Sequence, residues 1–187
     1  MSRNRALLLD RDGVINRAIV RGGKPYPPAA PDELEILPGV DEALARSRSA
    51  GYLNIVISNQ PDVARGTQNR QAVEAINEAL VQALPIDDTF VCYHDDADHC
   101  PCRKPKPGLL LEAADRHGLD LSLCYVIGDR WRDIDAGAAA GCRTILIDYG
   151  YSERLPSRPP DLRAGSLLEA VAQVEAEQRE YGIEITV

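Results

Sequence analysis

Asp10 and Asp12 stand one residue apart at the end of the apolar run Leu7-Leu8-Leu9, and Gly13 follows them. A run of this length suits a parallel strand covered on both faces, and functional groups in such sheets gather beyond the strands' carboxyl ends. One carboxylate there can attack phosphorus to form an aspartyl-phosphate. A second, two residues on, can protonate the leaving oxygen and later activate water. Gly13 permits the tight turn that this needs. A purely structural polar turn fits the same residues, so the other strand ends must separate the two.

Ser58-Asn59-Gln60 closes a second apolar run, Tyr52 to Ile57. A hydroxyl and turn amides at this place can hold a phosphoryl oxygen, or simply cap a helix. A third run, Cys124 to Ile127, ends in Gly128-Asp129-Arg130-Trp131-Arg132-Asp133. Mg²⁺ prefers hard oxygen ligands and keeps several waters; Asp10, a backbone carbonyl at Asp12, and Asp129 with a substrate phosphate would suffice. Asp133, one helical turn on, would support Asp129 from behind. By itself, the same pattern also fits a helix start favoured by its dipole. Before a further helix lies Arg103-Lys104-Pro105-Lys106-Pro107-Gly108. Lys104 as a point charge and Arg103 as a planar fork could neutralise a phosphate; a solvated charged face is the alternative.

Residues 92–102 carry a different chemistry. Three thiols and at least one imidazole, in Cys92-x-His94 and Cys100-x-Cys102, match the ligand set of a tetrahedral structural Zn²⁺ site. His94 is the expected fourth ligand because its pair mirrors the second, whereas His99 adjoins Cys100. A disulfide, a redox pair and free thiols compete with this reading. A filled Cys₃His site has no open position, so such a zinc orders the loop and performs no chemistry. Cys124 and Cys142 lie apart and read as small buried apolar residues.

The 187 residues suggest one domain over 1–187, able to bury roughly 70% of the surface its unfolded chain exposes. A net charge of −8 disfavours nucleic acid and anionic membrane as partners, so an anionic substrate needs a local cluster of positive charge. Only four apolar residues precede Asp10 after Arg5, and no run nears the ~20 needed to span a bilayer, which predicts a cytoplasmic protein with no leader. Asn16 to Leu37, broken by Gly22-Gly23 and several prolines, reads as an irregular loop placed to line a pocket. Helices are expected from Val40 to a stop at Gly51, from about Asn69 to Ala83, from about Gly108 to a stop at Gly118, and after Asp129 to Gly141. Thr89 to Val91 and Thr144 to Ile147 complete the strands. Tyr149 to Pro160 reads as a loop, Ser166 caps a last helix reaching about Glu180, and Ile183 to Val187 reads as a short tail strand.

In order, Asp10-x-Asp12-Gly13, Ser58, Lys104 and Gly128-Asp129-x-x-x-Asp133 resemble the four motifs of the haloacid dehalogenase-like (HAD) phosphohydrolases, over about Arg5 to Asp148. The Cys92-x-His94 and Cys100-x-Cys102-Arg103-Lys104-Pro105 elements are similar to those of its capless zinc-loop branch, which includes heptose bisphosphate and histidinol-phosphate phosphatases. The resemblance implies a doubly wound three-layer α/β sandwich without a large cap domain. It implies Asp10 as nucleophile, Asp12 as general acid/base, Ser58 and Lys104 on the phosphoryl oxygens, and Asp10, Asp12 and Asp129 as Mg²⁺ ligands. Asn59, Arg103 and Arg130 would contact substrate. Pro61-Asp62 stands where the family has a small residue and a glycine, Tyr93 replaces a common proline, and Arg130 a common lysine.

The expectation is a monomeric phosphatase of a small phosphorylated metabolite, first the 7-phosphate of D-glycero-D-manno-heptose 1,7-bisphosphate, then histidinol phosphate or another sugar phosphate. A zinc-stabilised binding module without turnover is the alternative of another class. A nucleic-acid end phosphatase is disfavoured by the missing basic stripe.

Overall fold

The computed structural model describes residues 4–180. In chain order the elements are β1 (Ala6–Leu9), β2 (Ile19–Arg21), β3 (Lys24–Tyr26), α1 (Val40–Ser49), β4 (Leu53–Asn59), α2 (Arg70–Ala83), β5 (Asp88–Cys92), α3 (Gly108–His117), β6 (Tyr125–Gly128), α4 (Trp131–Ala140), β7 (Arg143–Ile147), β8 (Leu162–Ala164) and α5 (Leu167–Glu180). The tail strand expected at Ile183 to Val187 lies outside the described residues.

Six strands pair in parallel in the order β5-β4-β1-β6-β7-β8. β1 lies inside the sheet, with Leu8 opposite Ile55 on one side and Val126 on the other. Its four side chains are fully buried and alternate between two cores. Leu7 and Leu9 join Val40, Leu44, Ile76, Leu80 and Val171 from α1, α2 and α5. Ala6 and Leu8 join Leu109, Leu110, Ala113 and Ala136 from α3 and α4. A strand buried on both faces cannot show a polar alternation, which is why the run reads as continuously apolar. Each buried leucine contributes about 1.5–3 kcal/mol. The result is the doubly wound three-layer sandwich that the resemblance implies. Cys124 and Cys142 are buried in the second core, as expected of small apolar residues.

Three local expectations change. The segment after Asn16 is not wholly irregular, because β2 and β3 form an antiparallel hairpin with Arg21 opposite Lys24. Gly22 and Gly23, read as breakers, both take positive φ and make its two-residue turn, the conformation that tight hairpins demand. A further strand, β8, extends the sheet at its far edge. Three residues following Pro159-Pro160 carry almost no periodic signal. Asp161 fixes this strand by accepting from the amide and hydroxyl of Thr144 at 2.7 and 2.9 Å. Finally, β4 runs on through Ser58 and Asn59, paired with Val91 and Cys92.

Among the described residues, no helix is long and apolar enough to cross a membrane.

Candidate active site

β1, β4 and β6 bring Asp10, Ser58 and Asp129 to one end of the sheet. Backbone pairing continues past β1, with Asp10 donating to the Ile127 carbonyl at 2.9 Å. Gly13 then turns the chain with φ 89°, and a Cβ at this position would lie 2.0 Å from Asp129 Oδ2. Glycine is therefore required both by the turn and by the close approach of the third aspartate. Gly128 acts likewise at the β6 end, where an added Cβ would lie 2.2 Å from that of Asp133.

Lys104 connects these strand ends. Its ammonium donates to Asp10 Oδ1 at 2.9 Å and to the Ile57 carbonyl at 2.6 Å, and pairs with Asp133 Oδ1 at 2.6 Å. Burial opposes its charge, but Asp10 and Asp133 outweigh burial, so its pKa lies above the ordinary lysine range. Asn59 holds the lysine's backbone in place: its amide accepts from Lys104 N at 3.1 Å and donates to Lys104 O at 3.0 Å.

The carboxylates of Asp10, Asp129 and Asp133 offer oxygens within 4.8 Å of one another. Their partners divide the work. Both oxygens of Asp133 are engaged, by Lys104 and by the Arg130 amide at 3.1 Å. Both oxygens of Asp129 are buried with the Tyr151 hydroxyl beside them, and among the described residues no cationic side chain forms an ion pair with them. Burial pushes the carboxyl of Asp129 well up, and Asp10 and Asp133 add to the push. Burial also pushes Asp10 up, to about 6, against the pull of Lys104. A cation among these oxygens would remove that penalty, and oxygen-only donors suit Mg²⁺. Asp12 is not in this carboxylate group. Its side chain accepts from Arg11, from Asn16 at 2.9 Å and from Gln60 at 2.8 Å, so only its backbone carbonyl is left for a cation.

A cavity of about 270 Å³ opens above this floor, lined by Asp10, Asp12, Lys104 and Asp133, with Arg65, Arg130 and Arg132 on its walls. Pro25, Tyr26 and Pro27 of the hairpin form another wall, as does Asn59. Ser58 and Arg103 do not line it. Ser58 is buried, with its hydroxyl accepting from Gln60 at 2.8 Å, and Arg103 is turned onto Asp96 at 2.9 Å. Arg130 faces the cavity while paired with Glu153. Sequence reasoning missed Gln60, whose amide links Ser58 to Asp12, and also Arg65 and Arg132, held by Asp95 and Asp96. For Gln60 the signal was its place directly at a strand end.

The thiols of Cys92, Cys100 and Cys102 lie 3.2 to 3.7 Å apart, with His94 Nδ1 3.3 Å from Cys102 and 3.6 Å from Cys92. A disulfide needs about 2.0 Å, whereas a tetrahedron with ordinary Zn–S and Zn–N lengths has edges of about 3.8 and 3.5 Å. The four donors fit zinc. His99 is outside this cluster, in a left-handed conformation.

Residues 101–170 match the family model described as HAD-hydrolase-like. The D-glycero-beta-D-manno-heptose-1,7-bisphosphate 7-phosphatase of Bordetella bronchiseptica is 34% identical over 178 residues, 89% of this chain and 95% of that protein. The chain belongs to the HAD-like phosphatases. The Pseudomonas aeruginosa protein of the same name is 35% identical, over 90% of this chain and 93% of its own. A crystal structure of the B. bronchiseptica D,D-heptose 1,7-bisphosphate phosphatase, complexed with magnesium and phosphate, superposes with a TM-score of 0.74 at 31% identity. It covers 93% of this chain and 99% of that one. Among the described residues of this HAD-like phosphatase there is no large cap domain, and the β2–β3 hairpin lies beside the cavity.

Proposed function

We propose that this phosphatase is Mg²⁺-dependent, works through an aspartyl-phosphate on Asp10, and removes the 7-phosphate of D-glycero-D-manno-heptose 1,7-bisphosphate. The observation that carries the chemistry is the pairing of Asp10 with Lys104 beside a buried Asp129 that no cationic side chain pairs with among the described residues. An Asp10 oxygen attacks phosphorus, and the ester P–O bond breaks with its electrons going to the leaving oxygen, which takes a proton from Asp12. Water then attacks the same phosphorus and gives its proton to Asp12, while the bond to Asp10 breaks and restores the carboxylate. Lys104 holds the nucleophile's orientation and faces the transferring oxygens. Ser58 holds Gln60, which in turn holds Asp12.

Asp10, Asp129 and the Asp12 carbonyl would hold the Mg²⁺. When bound, the ion offsets repulsion between carboxylate and phosphate and draws charge from the transferring oxygens. The cavity lining carries four acidic residues (Asp10, Asp12, Asp62, Asp133) and four basic ones (Arg65, Lys104, Arg130, Arg132). A divalent cation gives it the positive balance that a phosphate dianion needs despite the chain's charge of −8. Cys92, His94, Cys100 and Cys102 would hold Zn²⁺, fixing the loop that leads directly into Lys104.

The heptose assignment rests on the relatives named above and on three wall arginines, which offer a second anion more than Lys104 alone could. Histidinol phosphate, whose far end is a cation, would meet those same arginines. Phosphate release with Mg²⁺ is to be compared across heptose bisphosphate, histidinol phosphate, monophosphorylated sugars and a nucleic-acid 3′-phosphate. The bisphosphate should lead in kcat/KM. Uniform, feeble rates would remove the substrate, and no release from any with Mg²⁺ bound would remove the chemistry.

A further inference from the structure

Arg11 lies between the two aspartates, and the steps above give it no task. It is the bulkiest of the fully buried side chains, with no exposure at all. A charge so placed is stable only if its donors are matched. They are matched in one direction: Nε lies 3.2 and 3.3 Å, and Nη2 3.1 and 3.0 Å, from the two oxygens of Asp12. Nη1 donates at 2.9 Å to Asn77 Oδ1, on α2.

We propose that Arg11 and Asn77 form a positioning relay that fixes the carboxylate of Asp12 for proton transfer to the leaving oxygen. The proposal rests on the reading of Asp12 as the acid/base. Asp12 has three side-chain partners, and they differ in where they are anchored. Asn16 also donates to the Arg17 carbonyl, and Gln60 to Ser58, both within the strand-end turns themselves. Arg11 alone carries the restraint out to a helix. The planar fork matters, because two nitrogens facing two oxygens fix the rotation of the carboxylate, which a point charge does not. Asp12 still reaches the cavity, its side chain 14% exposed, so the relay grips it from the buried side and leaves an approach for substrate.

Proton donation is needed for an alkoxide leaving group and hardly at all for a nitrophenolate. Release of the leaving group in a single turnover isolates the first step, with an alkyl phosphate and p-nitrophenyl phosphate compared at saturating Mg²⁺. Asp12→Asn should lower the alkyl-to-aryl ratio of rates by about 10²-fold or more. Arg11→Lys and Asn77→Leu should lower the same ratio by about tenfold, with the loss in kcat and not in KM. Asn77 is only half-buried, so Asn77→Leu supplies the test if Arg11→Lys does not fold. A selective loss in Asp12→Asn with an unchanged ratio in Arg11→Lys or Asn77→Leu overturns the relay and leaves the acid/base standing. An unchanged ratio in Asp12→Asn overturns both.

Discussion

Two clusters of metal-type donors lie beyond the carboxyl ends of the strands, and they are built in opposite ways. The thiol and imidazole cluster is closed, with four soft donors facing one another and nothing left for substrate. The carboxylate cluster is open: Asp133 is spent on Lys104 and Arg130, Asp129 is buried without an ion-pair partner among the described residues, and Asp10 lines a cavity. Donor type predicts which metal each takes, but the accounting of partners predicts which one takes part in chemistry. A fully matched set of ligands supports a loop, whereas a deliberately unmatched carboxylate awaits a charge.

Substitutions test the contrast. Asp10→Asn should lower turnover by at least about 10⁴-fold with the fold intact, since it removes the nucleophile; a phosphate-release assay beside a melting curve checks this, and substantial residual activity would unseat Asp10. Stripping the thiol cluster, or Cys102→Ser, should lower the melting temperature by on the order of 10 °C, because structural zinc is bound largely as folding energy. Metal analysis should then show one zinc lost per chain. An apo form that melts like the untreated protein would break the distinction between the clusters. Asp133→Asn should weaken Mg²⁺ by about 10–100-fold, the usual effect of a group behind a ligand, read from the Mg²⁺ dependence of the rate. Cys142→Ala should cost no more than about 1.5 kcal/mol and leave the zinc content unchanged, which separates a merely buried thiol from a ligating one.

The candidate active site was legible wherever a polar residue closed an apolar run. Asp10, Asp12, Ser58 and Asp129 all announce themselves in this way, as do the paired cysteines through their spacing. What stayed hidden depends on contacts between distant segments. Lys104 reaches Asp10 and Ile57 across 94 and 47 residues, and nothing local says that it also binds Asp133. Arg65 and Arg132 look like ordinary surface charges until Asp95 and Asp96 bring them to the cavity walls. Arg103, adjacent to the lysine, looks equally placed for substrate and instead turns to Asp96. The hairpin was missed for another reason: the two glycines that interrupt most structures are the ones a primed turn requires.

That hairpin has a kinetic meaning. Phosphatases with a separate cap must swing a domain shut on each substrate, a motion that sets the pace of many enzymes. Here the wall is Pro25-Tyr26-Pro27, with both prolines fixed in φ by their rings. The mouth is shaped before substrate arrives. Discrimination is therefore exercised at the moment of encounter, by what fits a standing opening, and turnover is expected to be insensitive to solvent viscosity up to the diffusion limit.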